Sequence, residues 1–178
     1  RNRPEWTGGS FAGRPTAVAV GNFDGVHRGH RALIETSREL AGTGLDTAVM
    51  TFEPLPAAHF RPAAAPARLT TVYQKLDLLQ RAGVDLTWMV RFDDRFASLS
   101  AEDFVGGILV ERLRARYVVV GEDFRFGQAQ QGDVDLLRAL ESAYGFEVVT
   151  TQNYTAGGVT VTVSSYDMGT PLNAFGTH

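Results

Sequence analysis

The sequence predicts an α/β fold, a Rossmann-like doubly wound parallel sheet covered by helices. Two observations predict it. Short apolar runs of strand length alternate with longer segments in which apolar residues recur at the helical period, the pattern of a parallel sheet with helices on its faces. Capping residues and glycines stand between these segments, where turns are required.

Five apolar runs are the predicted strands of this sheet, and they alternate with four predicted helices. The strands are residues 16–20, 46–51, 86–90, 117–120 and 146–150. The helices are residues 29–41, 71–82, 100–113 and 133–144. Residues 54–66, rich in proline and alanine, interrupt the alternation as a loop. Residues 158–163 alternate polar and apolar side chains and predict an edge strand.

Several helix boundaries carry their own signals. Thr70 and Thr71 can cap the second helix, and Gly83 ends it. Ser100, followed by acidic residues, opens the third helix in the way the helix dipole favours. Gly145 closes the fourth helix.

Composition limits what the chain can be. Its 178 residues are 44% hydrophobic with a formal net charge of −3, which indicates one ordinary domain over residues 1–178. The absence of cysteine excludes disulfides and thiolate catalysis. No apolar run approaches the roughly 18 residues of a membrane helix, and the first residues lack a signal peptide, so a cytoplasmic location is expected. The mild acidity does not favour a nucleic-acid partner, and oligomeric state cannot be read from the sequence.

The most informative motif is the turn that follows the first predicted strand. It reads Val-Gly-Asn-Phe-Asp-Gly-Val-His-Arg-Gly-His and ends on His27 and His30 at the start of a helix. Residues three apart share one helical face, so both imidazoles can meet one ligand beside the positive helix N-terminus. This arrangement suits a polyphosphate. The spacing matches neither a Walker loop nor a dinucleotide-binding fingerprint.

Two further motifs follow later strands. Thr-Phe-Glu-Pro-Leu-Pro occupies residues 51–56, and Gly-Glu-Asp-Phe-Arg-Phe-Gly occupies residues 121–127, with Gly-Asp at 132–133. Together with the His-x-Gly-His turn, this ordered set resembles the adenylyltransferase module of the bacterial bifunctional riboflavin kinase/FMN adenylyltransferases, or FAD synthetases. The resemblance runs from about residue 16 to residue 165. It implies a nucleotidyltransferase-type sheet that transfers AMP from ATP to FMN, giving FAD and pyrophosphate.

The resemblance also implies a role for particular residues. His27 and His30 would be catalytic, stabilising charge on the α-phosphate and the departing pyrophosphate. Mg²⁺ would arrive with the triphosphate and need few or no carboxylates from the protein. Nucleotide binding would involve Gly21, Asn22, Phe23, Asp24, Gly29, Ser164 and Ser165. Flavin binding would involve Phe52, Pro54, Asp123, Phe124, Arg125 and Phe126.

For several of these residues the sequence leaves a structural alternative open. Phe124 and Phe126 can pack a sheet edge while Arg125 is solvated, and Phe52 and Pro54 can close a loop instead of shaping a pocket. His59 has no partner in the sequence pattern and is expected to be an exposed loop histidine.

The chain departs from the family pattern in three places. It stops where a riboflavin kinase domain would start, so no kinase activity is expected. Leu55 stands where the family has a histidine. The family segment Ser-Ser-Thr-Arg-Ile-Arg reads Ser-Ser-Tyr-Asp-Met-Gly here, so Asp167 and Gly169 occupy the arginine positions. The core is therefore expected over residues 14–165, with an atypical tail over residues 166–178 and a weakened hold on ATP.

These departures leave three functional hypotheses. The first is an FMN adenylyltransferase. The second is a repurposed paralogue that acts on another nucleotide or phosphorylated metabolite through the two histidines. The third is a non-catalytic binder of flavin or nucleotide.

Overall fold

The computed structural model describes residues 13–156 and 159–165, with side chains for residues 13–151. The strands are β1 (Thr16–Val20), β2 (Asp46–Glu53), β3 (Leu86–Arg91), β4 (Ala115–Gly121), β5 (Glu147–Ala156) and β6 (Val159–Ser165). The main helices are α1 (Arg28–Ala41), α2 (Pro56–Phe60), α3 (Val72–Arg81), α4 (Asp94–Ala97), α5 (Ala101–Asp103) and α6 (Val134–Tyr144). All five predicted parallel strands are present within two residues of their predicted starts.

The six strands form one sheet in the order β3-β2-β1-β4-β5-β6. Strands β1 to β5 pair in parallel, and β6 joins the edge antiparallel to β5. The predicted doubly wound α/β fold is therefore confirmed, and β6 confirms the predicted edge strand. The carboxyl ends of β1, β2 and β4 meet at one edge, where the strand order reverses and where such folds bind ligands.

Both faces of the sheet are covered, which explains the continuous apolar runs of the central strands. All five residues of β1 are buried. One face packs against α1 and α3 through Ala19, Val49, Val119, Leu33, Ile34 and Leu79. The other face packs against the segment after α5 and against α6 through Val18, Met50, Val118, Ile108, Leu109 and Leu137.

Capping residues predicted from the sequence are found at α3, at α6 and at the short α5, where the Ser100 side chain accepts from the Asp103 amide. Thr71 Oγ1 accepts from the Gln74 amide, and Gln74 Oε1 accepts from the Thr71 amide, forming a capping box before α3. Asp133 caps α6, and Gly145 ends it with a φ of 77°. Glycine suits this end because the left-handed conformation would bring the Cβ of any other residue close to a backbone carbonyl oxygen, and glycine has no Cβ.

Two predictions about local structure were incomplete. The helix expected over residues 100–113 is a short α5 that continues as a π-helix, Phe104–Arg112. Gly106 and Gly107 weaken ordinary helical winding there, while four side chains of the π-helix are buried. The loop expected over residues 54–66 contains α2, which begins with Pro56 in its first turn, where proline is well tolerated. Among the described residues, no helix is both long and apolar enough to cross a membrane.

Candidate active site

Two adjoining cavities lie at the carboxyl edge of the sheet. The first, which we call the histidine cavity, has a volume of about 450 Å³ and contains Asn22, Asp24, His27, His30 and Arg68 in its lining. The second, the aromatic cavity, has a volume of about 480 Å³ and is lined by phenylalanines that follow β2, β3 and β4. Asn22 lines both cavities, so the turn after β1 forms the boundary between them.

The turn after β1 holds the two histidines against each other. His27 is the N-cap of α1, and its Nδ1 accepts the Gly29 amide at 3.1 Å. The His27 and His30 rings stack with centroids 3.7 Å apart. Because Nδ1 of His27 is an acceptor, the proton of the neutral ring resides on Nε2. Nε2 is therefore the atom with which His27 can donate to a ligand.

His30 is held as a neutral imidazole. Burial and the positive fields of His27 and Lys75 lower the pKa of His30 to about 3. Its Nδ1 is buried and has no hydrogen-bond partner in the described part of the chain. An anion bound beside His30 would raise this pKa, since a nearby negative charge favours the protonated ring.

Three residues of this turn that the sequence predicted to bind the nucleotide are not free to do so directly in the histidine cavity. The Phe23 side chain is fully buried and lies 4.9 Å from the His30 ring, so it supports that ring rather than facing a ligand. The Gly29 amide is occupied by the His27 cap. Gly21 lines the aromatic cavity rather than the histidine cavity.

Asp24 orders the segment that closes one side of the histidine cavity. Its carboxylate accepts from the amides of Leu69 and Thr70 and from Thr70 Oγ1, at 2.8–2.9 Å. Burial alone would raise the pKa of Asp24, but these hydrogen bonds and the Arg68 charge outweigh it and lower the pKa. Gly25 follows with a φ of 81°, and a Cβ there would lie 2.9 Å from the Leu69 side chain, so this turn requires glycine.

Asp24→Asn is expected to lower the free energy of unfolding at pH 7 by about 1–2 kcal/mol, because an amide cannot accept all three hydrogen bonds. A carboxyl group with a lowered folded pKa stabilises the protein above its unfolded pKa, and that stability is lost as pH falls through the folded pKa. The difference between wild type and variant should therefore shrink below about pH 4. Urea unfolding of both proteins between pH 7 and pH 3 measures this difference in the free energy of unfolding.

The matched control for this variant is Asp77→Asn, which removes an exposed carboxylate paired with Arg81. That change should cost less than about 0.5 kcal/mol at any pH in the series. A difference for Asp24→Asn that stays constant down to pH 3 would contradict the role of the ionised carboxylate.

The aromatic cavity is built from a chain of phenylalanine contacts. The Phe124 and Phe126 rings lie 5.5 Å apart and nearly parallel, and Phe104 lies 5.0 Å from Phe126. Phe52 contacts Phe92 at 5.7 Å. Phe126 and Phe52 are each 6% exposed, so they pack the core and line the cavity at once. Structural packing and a place at a ligand pocket, the two interpretations that the sequence left open, are therefore compatible for Phe52 and Phe126.

The remaining residues predicted for the flavin side are divided between the two cavities. Asp123 and Arg125 line the aromatic cavity, and the Arg125 side chain is 55% exposed, with Nη1 3.8 Å from Asp133. Pro54 instead lines the histidine cavity, next to Leu55. Helix α2 then runs between the cavities, with Phe60 on the aromatic side and Ala57 on the histidine side.

The expectation for His59 was wrong. Its side chain is only 20% exposed, and its Nε2 lies 3.0 Å from Asp94 Oδ1 at the start of α4. The ring also contacts Phe60 and Phe92, which line the aromatic cavity. The sequence could not show this contact because it joins α2 to a helix 35 residues further along the chain.

Sequence analysis assigned no site role to three charged residues at the histidine cavity, Glu53, Arg68 and Lys75, of which Arg68 lines the cavity itself. Lys75 is fully buried, and its Nζ lies 3.2 Å from the carboxylate of Glu53. Arg68 pairs with both oxygens of the same carboxylate. Lys75 stands four residues before Leu79 on the buried side of α3. A lysine within the apolar stripe of a predicted helix is the sequence signal that could have indicated a buried charge here.

The last predicted nucleotide-binding residues lie at the end of β6. Ser164 and Ser165 pair with Thr151 and Thr150 of β5, which places their backbone at the same edge of the sheet as the two cavities. Their side chains lie outside the described residues, as do Asp167 and Gly169. No cluster of three or more histidine or acidic side chains that could hold a metal occurs among the residues whose side chains are described.

Comparisons with known proteins match this geometry to one family. The FAD synthetase family profile matches residues 11–165. A bifunctional riboflavin kinase/FMN adenylyltransferase of Escherichia coli (strain K12) is 46% identical over 145 residues, covering 81% of this chain and 46% of that protein. The Pseudomonas fluorescens protein of the same description is 40% identical over 149 residues, covering 83% of this chain and 48% of that protein. The chain thus spans about half the length of these curated relatives.

One solved structure adds a likeness of fold. The crystal structure of a macrolide-efflux protein from Streptococcus pneumoniae superposes with a TM-score of 0.69 at 25% sequence identity. The match covers 82% of this chain and 48% of that one.

Proposed function

The chain belongs to the FAD synthetase family, and we propose that it transfers the adenylyl group of ATP to the terminal phosphate of FMN, giving FAD and pyrophosphate. The observation that carries this proposal is the pair of cavities that share Asn22. A stacked histidine pair at a helix N-terminus suits phosphates, and a neighbouring aromatic cavity suits a flavin.

In the proposed reaction, an oxygen of the FMN phosphate attacks the α-phosphorus of ATP. The new P–O bond replaces the bond from that phosphorus to the departing pyrophosphate. Such transfers depend mostly on positioning and on electrostatic stabilisation. Nε2 of His27 would donate to the α-phosphate, and the adjacent His30 ring would be protonated more easily once the anion is bound. Mg²⁺ would enter with the triphosphate and neutralise part of its charge.

On the acceptor side, the phenylalanines around the aromatic cavity supply flat apolar surfaces for the isoalloxazine ring. A cavity of about 480 Å³ lies within the usual range for cofactor sites. Arg125 at its edge offers a guanidinium for a phosphate. Adenylyl transfer is favoured over a repurposed site or a non-catalytic binder because the family profile and the curated relatives that match this chain are described as FAD synthetase and FMN adenylyltransferases.

The decisive experiment incubates the protein with ATP, Mg²⁺ and FMN, measures pyrophosphate release and separates the flavin products. FAD and pyrophosphate in equal amounts would support the proposal. Flavin binding with no product under saturating ATP would favour a non-catalytic binder. Pyrophosphate release that does not require FMN would favour a different acceptor.

Arg125→Met is expected to weaken FMN binding about tenfold while leaving riboflavin binding unchanged, because the lost guanidinium would contact only the phosphate. Quenching of flavin fluorescence measures both affinities. Arg81→Met, on the exposed end of α3, is the matched control and should change neither. Equal losses for FMN and riboflavin would show that Arg125 shapes the cavity instead of binding the phosphate.

A further inference from the structure

Lys75 is an ammonium group enclosed directly beneath the boundary between the two cavities. It is 0% exposed. Its Nζ donates to the backbone carbonyl of Asn22 at 3.0 Å and of Phe52 at 3.4 Å, and it lies 3.2 Å from Glu53 Oε2. Thr51 Oγ1 lies 3.3 Å from the same Nζ and donates to the same Asn22 carbonyl at 2.8 Å.

Stability alone does not account for a charge at this position. Enclosing an ammonium is costly, and well-packed apolar side chains often replace buried ion pairs without loss of stability. Burial lowers the pKa of Lys75, although the Glu53 carboxylate opposes this effect. The neighbouring residue on the same helical stripe, Leu79, shows that the interior beside α3 accepts an apolar side chain.

The partners of Lys75 belong to both cavities. Asn22 lines both of them, and Phe52 lines the aromatic cavity. Glu53 in turn holds Arg68, which lines the histidine cavity. The Lys75 ammonium therefore holds the backbone of Asn22, which lines both cavities. It also connects Asn22 to Phe52 of the aromatic cavity and, through Glu53, to Arg68 of the histidine cavity.

We propose that Lys75 is a positioning residue that sets the separation and orientation of the nucleotide and the flavin by fixing Asn22 between them. This inference rests on the proposed adenylyl transfer. Each substrate would still bind in its own cavity without Lys75, but the attacking oxygen and the α-phosphorus would no longer be aligned. Displacing reacting groups by about 1 Å can cost about 100-fold in rate.

The first test is Lys75→Met, which keeps an unbranched side chain as far as the Cε position and removes the ammonium. We expect kcat for FAD formation to fall about 100-fold while KM for ATP and FMN stays within about threefold. A role in folding alone would lower the melting temperature and leave kcat of the folded protein unchanged. A folded variant with kcat within threefold of wild type would overturn the proposal.

A pair of milder variants decides the question if Lys75→Met does not fold. Thr51→Val removes the hydroxyl that shares the Asn22 carbonyl with Lys75. Thr16→Val removes a hydroxyl that donates to the Leu113 carbonyl at the same distance, 2.8 Å, at the opposite end of the sheet. Both should lose similar stability, but only Thr51→Val should lose kcat, by about tenfold. Equal kcat in the two variants would overturn the proposal.

The absence of cysteine from the chain allows a rescue experiment. Lys75→Cys would introduce a single thiol, which 2-bromoethylamine can alkylate in denaturant to give a close analogue of lysine. After refolding, the alkylated protein should regain at least a third of the kcat of wild type treated in the same way, and the unmodified variant should not. If the untreated wild type formed no FAD, both this inference and the proposed function would be overturned. If the wild type formed FAD and the variants had the same kcat, this inference alone would be overturned.

Discussion

Replacing both His27 and His30 with alanine is expected to lower kcat for FAD formation by at least 10³-fold. Loss of one donor to a developing charge typically costs about 10²–10³. The two rings stack with centroids 3.7 Å apart, and in the proposed reaction they would act on one phosphate region, so each single variant should lose nearly as much as the double variant. Pyrophosphate release with saturating ATP, Mg²⁺ and FMN measures the effect.

The two histidines need different substitutions because only His27 also caps a helix. His27→Ala removes the acceptor for the Gly29 amide and should cost about 1 kcal/mol of stability. His27→Asn retains a good capping group, so it should lose activity while keeping the stability of wild type. This pair of variants separates loss of the cap from loss of the donor.

Glu39→Ala, on the exposed far end of α1, serves as the control and should keep the activity of wild type. If the double histidine variant kept more than a tenth of the wild-type kcat, the histidine pair would not be the group that stabilises the transferred phosphate. The protein would then have to make its product with the remaining groups of the cavity.

The sheet could be predicted from the sequence because its signals are local. β1 was predicted at both ends, and the capping box at Thr71 and the glycine at 145 mark helix ends through neighbouring residues alone. β5 was predicted too short because its last residues pair with β6, a contact outside the apolar run. The π-helix was missed because a capping serine and apolar residues predict a helix without distinguishing α-helical from π-helical winding.

The site was predictable to the extent that its residues occur in contiguous motifs. The histidine pair and residues 121–127 each follow one strand and could be recognised in order. The contacts of Lys75 and Arg68 could not be predicted, because their partners lie 53 and 15 residues away and nothing local marks the contact. The division of the loop after β2 between two cavities, with Pro54 on one side and Phe60 on the other, likewise depends on how α2 packs.

The charges around the histidine cavity explain why the tail sequence should matter. Among the residues whose side chains are described, Asp24 and Glu53 are balanced by Arg68 and Lys75, which are already joined to them. His30, with a pKa of about 3, adds no positive charge before the ligand binds. Apart from the helix N-terminus and Mg²⁺, this cavity therefore offers little net attraction to a triphosphate.

Asp167→Arg is consequently expected to lower KM for ATP by about 10–100-fold and to leave KM for FMN unchanged. The expectation rests on the resemblance of residues 164–169 to the family's nucleotide-binding segment, in which arginine stands at this position. Two unit charges 4 Å apart interact by about 4 kcal/mol at an effective dielectric of 20, before screening. Steady-state kinetics at low and high salt measures the change, which should shrink as salt rises.

Asp77→Arg makes the same change in net charge on an exposed face of α3 and should leave KM for ATP within twofold. Equal KM values in the two variants would mean that residue 167 does not approach the nucleotide. A fall in KM for ATP confined to Asp167→Arg would mean that the wild-type nucleotide site lacks only the positive charge that arginine supplies at this position in the family. The anion at 167 would then set how tightly this chain holds ATP, and the histidine pair would set how fast it uses it.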